Sequence, residues 1–168
     1  MKPVIDTKRL LLREFSVDDA AFMLRLVNEP SWLKYIGDRK VHTLADAERY
    51  LTEGSIKSYR DHGFGFWKVE LKSTGEAMGS AGLAKRDYLD DVDIGFAFLP
   101  EFTRQGYGYE AAEGIVLFAK EKLGLTRLVA FNTKDNIASS GLLMKLGFQL
   151  ERSLMLEGEE LNLFGKEL

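Results

Sequence analysis

A glycine-containing junction between an apolar segment and a long amphipathic segment constrains this chain more than any other feature of its sequence. Residues 104–109 read Arg-Gln-Gly-Tyr-Gly-Tyr, and Gly106 and Gly108 allow the backbone to approach a ligand closely. The residues that follow place apolar side chains on one broad face, which predicts a helix packed on a sheet. That face comprises Ala111, Ala112, Ile115, Val116, Ala119 and Leu123. The junction therefore predicts a strand–loop–helix unit in which the first helical turn is held rigidly.

The first turn of such a helix can bind negative charge. Its N–H groups have no partner within the helix, and the helix dipole adds partial positive charge at the same end. A pyrophosphate can therefore bind there without a lysine. Glycine pairs are also common in ordinary loops, where they supply positive φ angles. The junction is thus a candidate anion site whose interpretation depends on the rest of the chain.

A dinucleotide-binding turn is the alternative interpretation, because Gly106, Gly108 and Ala111 have the spacing G-x-G-x-x-A. That turn should follow the first strand of a parallel unit, with an acidic residue about 20 positions later at the end of the next strand. Here at least three strand-like segments come earlier, and the next strand ends with Phe-Asn-Thr at residues 131–133. The context argues against this alternative.

Composition excludes several classes of protein. The length of 168 residues is typical of one domain, and we expect a single domain over residues 1–168. The absence of cysteine excludes disulfides, thiolate metal sites and a cysteine acyl-enzyme. The net charge of −3 with interleaved signs gives no basic patch, and no apolar run is long enough to span a membrane. We therefore expect a cytoplasmic protein with no nucleic-acid partner, no membrane partner and no metal.

Two capping boxes mark the helices of the first half of the chain. Ser16 with Asp19 should open a helix that ends near residue 28, before Pro30. Thr43 with Asp46 should open a second helix that reaches about residue 60. Two helices therefore precede most of the sheet.

Segments rich in β-forming residues alternate with turn-forming clusters along the rest of the chain. We predict seven strands, at residues 9–15, 64–71, 77–84, 92–99, 127–132, 149–156 and 161–166, with hairpin turns at residues 73–76 and 157–160. A last helix, capped by Asp135 or Asn136, should end at Gly147, a left-handed terminator. The pattern predicts an α/β or α+β fold, a mixed sheet flanked by about four helices, and leaves the strand order open.

Two pairs of motifs occur in order along the second half of the chain. Residues 105–108 (Gln-Gly-Tyr-Gly) precede residues 110–112 (Glu-Ala-Ala), and residues 136–139 (Asn-Ile-Ala-Ser) precede residues 145–148 (Lys-Leu-Gly-Phe). Together they resemble the GCN5-related N-acetyltransferases (GNAT), and within them the RimJ/RimL-like group that acetylates the N-termini of ribosomal proteins. Further segments similar to that group are residues 7–13, 18–20, 66–67, 75–79 and 93–96.

The resemblance implies the GNAT fold, a central twisted mixed sheet splayed between its fourth and fifth strands, here about residues 92–99 and 127–132. It implies acetyl-CoA as co-substrate, with the pantetheine arm paired to free backbone groups between the splayed strands and the pyrophosphate on the glycine loop. One departure is Thr103, where the superfamily usually has Arg or Gln. The cofactor-binding residues implied are Phe98, Leu99, Arg104, Gln105, Gly106, Tyr107, Gly108, Tyr109, Asn136 and Ser139.

The chemistry implied is direct attack of an amine on the thioester within a ternary complex, because the chain has no cysteine. Many members of the superfamily use a tyrosine of the last helix as the acid, and this chain has Leu143 there. Ser139 is the substitute that we predict, since it lies one turn into the helix with a rotatable O–H. A serine there can also bond the backbone, and Asn136 can be a helix cap as well as a cofactor contact.

Asp93 is the candidate general base, because it is the only strand carboxylate close in sequence to the implied reaction centre. The other interpretation is a solvated residue at the end of a polar turn. Oxyanion stabilisation is assigned to backbone N–H groups near Phe98 and Leu99. The sequence does not decide which of these amides is used.

The expected acceptor is an α-amine at a peptide or protein N-terminus. At neutral pH, deprotonating a lysine ε-amine costs about 4 to 5 kcal/mol, whereas an α-amine costs only about 1 kcal/mol. A site without an evident strong base therefore suits an α-amine better than a lysine ε-amine. Alternatives left open are a small amine such as an aminoglycoside or polyamine, and a non-catalytic acyl-CoA-binding sensor. Both a monomer and a homodimer remain possible.

Aromatic and acidic residues are candidates for an acceptor pocket. Trp32, Trp67 and Phe64 either line such a pocket or belong to the core. The acidic turn at residues 157–160 either attracts a cationic acceptor or is only solvated. The two histidines, His42 and His62, have no partners for a triad or a metal site, and we interpret them as surface or packing residues.

Overall fold

An eight-stranded sheet, seen in a computed structural model that describes residues 2–168, forms the centre of the fold. Its strand order is β1-β2-β3-β4-β5-β6-β8-β7, and all neighbours are antiparallel except β5 and β6. The predicted mixed sheet with flanking helices is confirmed, with one strand more than expected because the two-residue β1 was not predicted. The strands are β1 (Ile5–Asp6), β2 (Leu10–Arg13), β3 (Phe66–Leu71), β4 (Ala77–Ala84), β5 (Asp93–Phe98), β6 (Arg127–Thr133), β7 (Gln149–Leu156) and β8 (Glu159–Glu167).

Six α-helices lie within residues 2–168, where about four helices were expected, because α2 was not predicted and one predicted helix is divided by a π-helical turn. Pro30, expected only to follow a helix, begins one, because proline fits the first helical turn. A π-helical turn at Thr52–Ile56 joins α3 to α4 in the segment predicted as one helix. The helices are α1 (Ala20–Val27), α2 (Pro30–Tyr35), α3 (Leu44–Leu51), α4 (Lys57–His62), α5 (Tyr107–Glu121) and α6 (Ile137–Lys145).

Side-chain caps form where the sequence predicted them. The Ser16 box is present and opens a short 3-10 turn before α1, while the Thr43 box opens α3. Asn136, rather than Asp135, caps α6, because its Oδ1 accepts a hydrogen bond from the N–H of Ser139 at 3.2 Å. The last helix ends at Lys145, and Gly147 follows its C-cap with φ of +96°, as a left-handed terminator should. These caps fix where the chain enters and leaves the helices.

The main core lies between the sheet and α5. The predicted apolar face of α5 is confirmed, with Ala111, Ala112, Ile115 and Ala119 buried. The three alanines of this face let the helix axis approach the sheet. No helix of residues 2–168 combines the length and hydropathy needed to cross a membrane.

The β5 and β6 strands separate after a single register pair, in which Asp93 lies opposite Val129. Val129 N donates to Val92 O at 3.0 Å, and beyond this point β5 pairs only with β4, and β6 only with β8. The predicted splay is therefore confirmed. It opens a cleft between two parallel strands.

The closing hairpin of β7 and β8 covers one end of this cleft. Its turn contains only Glu157 and Gly158, with φ of +50° and +79°. Two residues of positive φ make the tight turn that suits the twist of a hairpin. The second strand therefore begins at Glu159, two residues earlier than predicted.

Candidate functional site

The loop at residues 104–109 presents six backbone N–H groups at the start of α5. Gly106 is the N-cap with φ of +83°, and Arg104 is also left-handed with φ of +62°. None of the six N–H groups donates a hydrogen bond within residues 2–168, and the first to do so is that of Glu110, to Gly106 O at 3.1 Å. Unpaired N–H groups at a helix start are the arrangement that an anion site requires.

A cluster of Thr7, Arg9 and Glu110 fastens the start of α5 to the turn between β1 and β2. One carboxylate oxygen of Glu110 accepts from Thr7 Oγ1 at 2.6 Å and from Arg9 N at 2.8 Å. The other accepts from Arg9 Nε at 2.7 Å. Burial opposes ionisation of this carboxyl, but the hydrogen bonds from Thr7 and Arg9 outweigh it and lower the pKa of Glu110.

The same Arg9 side chain reaches the loop itself. Its Nη1 donates to Gln105 O at 3.1 Å, and its guanidinium carbon lies 4.4 Å from the ring centroid of Tyr107. A second contact, from Gln105 Nε2 to Glu101 O at 2.9 Å, closes the loop from the other side. The loop is therefore held by side chains while its N–H groups stay free.

Backbone groups of β5 face the cleft at alternate residues. Leu99 N donates to Met78 O at 2.9 Å, and Leu99 O accepts from Phe102 N at 3.0 Å. The N–H of Leu99 is therefore paired with β4 and is not a free donor for an oxyanion, while a contact of Leu99 with the cofactor stays a prediction. Because donors alternate along an antiparallel strand, the N–H of Phe98 points away from β4, toward the β6 side.

The facing edge of β6 follows the same rule. Leu168 N donates to Thr126 O at 2.9 Å, so even-numbered residues of β6 pair with β8 and odd-numbered residues turn their backbone groups toward the cleft. Phe131 and Thr133 therefore turn their backbone N–H and C=O groups toward the cleft. Two facing rows of backbone groups can pair with an extended, amide-bearing ligand as an added strand would.

A cleft of about 680 Å³ extends from this splayed edge to α2, the joined α3–α4 segment and the β7–β8 turn. Among the predicted site residues, Asp93, Asn136 and Ser139 line it together. Phe98, Leu99 and the loop at residues 104–109 lie outside its lining. The structure therefore brings the predicted catalytic residues to one cleft and leaves the anion loop beyond it.

Asp93 is a buried member of an ion pair, so its interpretation as a solvated turn residue is wrong. Its side chain is 3% exposed, and its Oδ1 lies 2.9 Å from Arg86 Nε. Burial raises the pKa of the Asp93 carboxyl, and the charge of Arg86 only partly opposes that rise. A carboxylate with a raised pKa in a cleft is suited to accept a proton.

Ser139 lies at the start of α6 with its side chain in a polar network. Its Oγ accepts a hydrogen bond from Asn132 Nδ2 at 3.1 Å. One turn later on the same face, the buried Leu143 also lines the cleft and contributes no polar group. The oxygen of Asn136 accepts the cap hydrogen bond from Ser139 N, and its NH₂ group can donate to a ligand.

Two buried polar atoms near the cleft have no partner within residues 2–168. They are Trp32 Nε1 and Thr133 Oγ1, and both residues line the cleft. Trp67 and Phe64, in contrast, belong to the main core. A buried donor without a partner is costly, so these atoms are ready for a polar ligand.

Acidic side chains surround the outer part of the cleft. Glu53, Glu157 and Glu159 line it, and none of them forms a salt bridge within the part of the chain from residue 2 onward. Among the cationic residues of the same lining, Lys57 is paired with Asp61 and Arg86 with Asp93, whereas Arg39 and Lys85 form no salt bridge within residues 2–168. His62, at the cleft edge, stacks on Phe64, and His42 is exposed.

Sequence reasoning missed several residues that the structure places at the site. The Thr7, Arg9 and Glu110 side chains occur in segments that resembled the family, but their contact spans up to 103 positions and has no local pattern. Arg86 lies only seven positions before Asp93, and its opposite charge next to the candidate base was the one available signal.

Comparisons with known proteins identify the family and the fold of this chain. The family model described as "Acetyltransferase (GNAT) domain" matches residues 9–149. An uncharacterized N-acetyltransferase, YoaA, from Bacillus subtilis (strain 168) is 29% identical over 152 residues, which are 90% of this chain and 85% of that protein.

Two solved structures share the fold. RimL, a ribosomal L7/L12 α-N-protein acetyltransferase in complex with coenzyme A, has a TM-score of 0.84 at 17% identity, covering 99% of this chain and 98% of that one. The microcin C7 self-immunity acetyltransferase MccE, in complex with acetyl-CoA and AMP, has a TM-score of 0.82 at 17% identity, covering 96% and 93%.

Proposed function

The chain belongs to the GNAT acetyltransferase family and is an N-acetyltransferase, and from that premise we propose that it transfers the acetyl group of acetyl-CoA directly to the α-amine of a peptide or protein N-terminus. The observation that carries the proposal is the row of six unpaired N–H groups at the start of α5, beside two strands that separate after one register pair. A diphosphate can bind the free N–H groups, and a pantetheine can lie between the separated strands.

The anion loop is proposed to hold the diphosphate through its backbone. The donors are the N–H groups of Arg104, Gln105, Gly106, Tyr107, Gly108 and Tyr109. The Thr7, Arg9 and Glu110 cluster keeps these donors oriented before the ligand arrives, which lowers the entropy cost of binding. Thr103 then needs no cationic replacement, because the charge is met by N–H dipoles and the helix end.

Asp93 is proposed as the group that takes the proton of the attacking amine. Its raised pKa brings it closer to that of an α-amine than an ordinary aspartate would be. Arg86 holds the carboxylate in one orientation through the contact at 2.9 Å. Attack by the amine nitrogen forms the new C–N bond and places negative charge on the acetyl oxygen, which a β5 backbone N–H that points toward β6 would stabilise.

Ser139 is proposed to assist departure of the sulfur. When the tetrahedral intermediate collapses, the C–S bond breaks and its electron pair goes to sulfur. A hydrogen bond from Ser139 O–H stabilises the resulting thiolate, and the sulfur finally takes up a proton equivalent to the one that the amine lost. The overall reaction therefore needs no other reagent.

The cleft favours a cationic acceptor with polar backbone groups. Glu53, Glu157 and Glu159 attract an ammonium group before it loses its proton. The unpartnered Trp32 Nε1 suits a carbonyl oxygen of a peptide, and Thr133 Oγ1 can donate or accept. A peptide N-terminus provides both the amine and the carbonyls.

An acceptor screen tests the proposal. Acetyl-CoA is incubated with peptides that have a free N-terminus, with the same peptides blocked at the N-terminus but containing lysine, and with aminoglycosides and polyamines, and free thiol is measured. The expected result is fastest thiol release with free N-termini, and loss of release in Asp93→Asn. Preference for lysine side chains would refute the α-amine assignment.

A small-molecule amine is the second candidate, favoured by the size of the cleft. About 680 Å³ is enough to enclose a small ligand on several sides. This candidate predicts strong activity on one small amine and none on peptides in the same screen.

A further inference from the structure

A chain of polar side chains runs from β8 through β6 to the start of α6. Asn162 Nδ2 donates to Asn132 Oδ1 at 3.1 Å. Asn132 Nδ2 in turn donates to Ser139 Oγ at 3.1 Å and to Ser140 Oγ at 3.0 Å. Asn132 is 7% exposed, so these contacts are largely shielded from water.

The direction of these hydrogen bonds determines where the Ser139 proton points. Donation from Asn162 makes Oδ1 of Asn132 the acceptor, so both hydrogens of its NH₂ group are available to the two serines. A hydroxyl has one hydrogen and two lone pairs, and Ser139 Oγ uses a lone pair toward Asn132. Its O–H has no acceptor within residues 2–168, since the one hydrogen bond of this oxygen is the one it accepts, and Ser139 lines the cleft whereas Ser140 does not.

We infer that Asn132 is a positioning residue, which holds Ser139 as an acceptor on one side so that the Ser139 O–H is donated into the cleft to the sulfur of the acetyl donor. Asn162 strengthens the effect, because hydrogen bonds in a chain polarise one another in a poorly solvated site. The inference rests on the proposed function in one respect, namely that the sulfur lies beside Ser139.

A change from amide to carboxylate reverses the hydrogen bond without changing the size of the side chain. In Asn132→Asp the side chain only accepts, so the Ser139 O–H is expected to turn toward the carboxylate and away from the cleft. We expect kcat to fall about 100-fold with little change in the KM for acetyl-CoA. Ser140→Ala is the matched control, since it removes the other acceptor of the same NH₂ group, and its kcat should equal that of the wild type.

A double-mutant cycle with Ser139→Ala tests whether Asn132 acts through Ser139. If it does, Asn132→Asp causes no further loss of kcat once Ser139 is alanine. A direct effect of the new carboxylate on the reaction would instead multiply with the loss from Ser139→Ala, and that result overturns the inference. Asn162→Leu, a change at a half-buried residue of β8, provides a second cycle in case Asn132→Asp does not fold.

A measurement without an acceptor separates this inference from the proposed function. The ultraviolet absorbance of the thiolate is used to titrate CoA bound to the wild type, to Asn132→Asp, to Ser139→Ala and to the double variant. We expect the bound thiol of the wild type to ionise at lower pH than free CoA, and that advantage to be lost equally in all three variants. A wild-type complex that titrates like free CoA contradicts the inference. A lowered thiol pKa without acetylation of any amine supports the inference and removes the proposed function.

Discussion

The contact between Glu110 and the β1–β2 turn allows a sharp prediction about how the anion loop is held. The perturbation is Glu110→Gln, which keeps the shape of the side chain and removes its charge. The carboxylate accepts from Thr7 Oγ1, Arg9 N and Arg9 Nε. An amide has only one acceptor oxygen. The hydrogen bonds that one of the two carboxylate oxygens accepts are therefore lost in the variant.

The magnitude follows from the type and exposure of those contacts. A hydrogen bond to a charged group contributes about 1.5 to 3 kcal/mol. The Arg9 side chain is 40% exposed and that of Glu110 is 17% exposed, so solvent screens the ion pair. The ion pair therefore contributes about 1 kcal/mol to the free energy of unfolding. We therefore expect the free energy of unfolding to fall by about 2 to 3 kcal/mol. As a separate effect, we expect the less firmly held loop to bind CoA about tenfold more weakly, which corresponds to about 1.4 kcal/mol of binding free energy.

The assay combines urea unfolding with calorimetric titration of CoA. The matched control is Glu70→Gln, because Glu70 has the same exposed fraction of 17% and accepts from Arg13 Nε, but lies in β3 away from the loop. The control should lose stability and bind CoA normally. Pantetheine, which has no diphosphate, should bind all three proteins equally.

The pH dependence of stability gives the sign of the effect. The folded state lowers the pKa of Glu110, so its contribution is present above the unfolded value of about 4.3 and is lost as the pH falls through the folded pKa. Glu110→Gln should therefore lose less stability on acidification than the wild type. The reasoning fails if Glu110→Gln is destabilised by the expected amount and still binds CoA as tightly as Glu70→Gln does.

Three other predictions follow from the cleft. Arg86→Gln removes the charge that opposes the raised pKa of Asp93, so the acidic limb of the kcat/KM profile should move to higher pH, and a limb that stays in place contradicts the assignment of Asp93 as base. Glu157→Gln combined with Glu159→Gln should raise the KM for a peptide amine at unchanged kcat, and the difference should shrink in high salt because exposed charges are screened. With a peptide α-amine, kcat/KM should level off above about pH 8, near the pKa of that group, whereas a continued rise toward pH 10 would indicate a lysine acceptor.

Features that depend on local sequence were predicted well. The apolar face of α5 follows from spacing alone, and the caps at Ser16, Thr43 and Asn136 follow from side chains that bond backbone N–H groups a few residues away. The α2 helix was not predicted. A proline can either follow the end of one helix or begin the next, and only the first role was expected of Pro30. Such a choice depends on tertiary packing.

Features that depend on register could not be predicted. Whether Phe98 or Leu99 presents a free N–H is decided by the pairing of β5 with β4, and a shift of one residue would exchange their roles. The burial of Asp93 beside Arg86 likewise depends on where β5 meets β6. The resemblance indicated the splay, but no pattern in the sequence indicated which amides it leaves free.

Polar contacts between residues far apart in the sequence could not be predicted either. Asn132 gains its orientation from Asn162, 30 positions away on β8, and Arg9 meets Glu110 across 101 positions. Each residue is unremarkable in its own segment. Their roles become visible only when the sheet places the segments together.

The most direct test of the whole account is a crystal structure of the protein with CoA. The account predicts diphosphate oxygens about 3 Å from backbone nitrogens of residues 104–109, the pantetheine between β5 and β6, and the sulfur next to Ser139. A complex in which the diphosphate lies elsewhere and the N–H groups of this loop remain unpaired would contradict it.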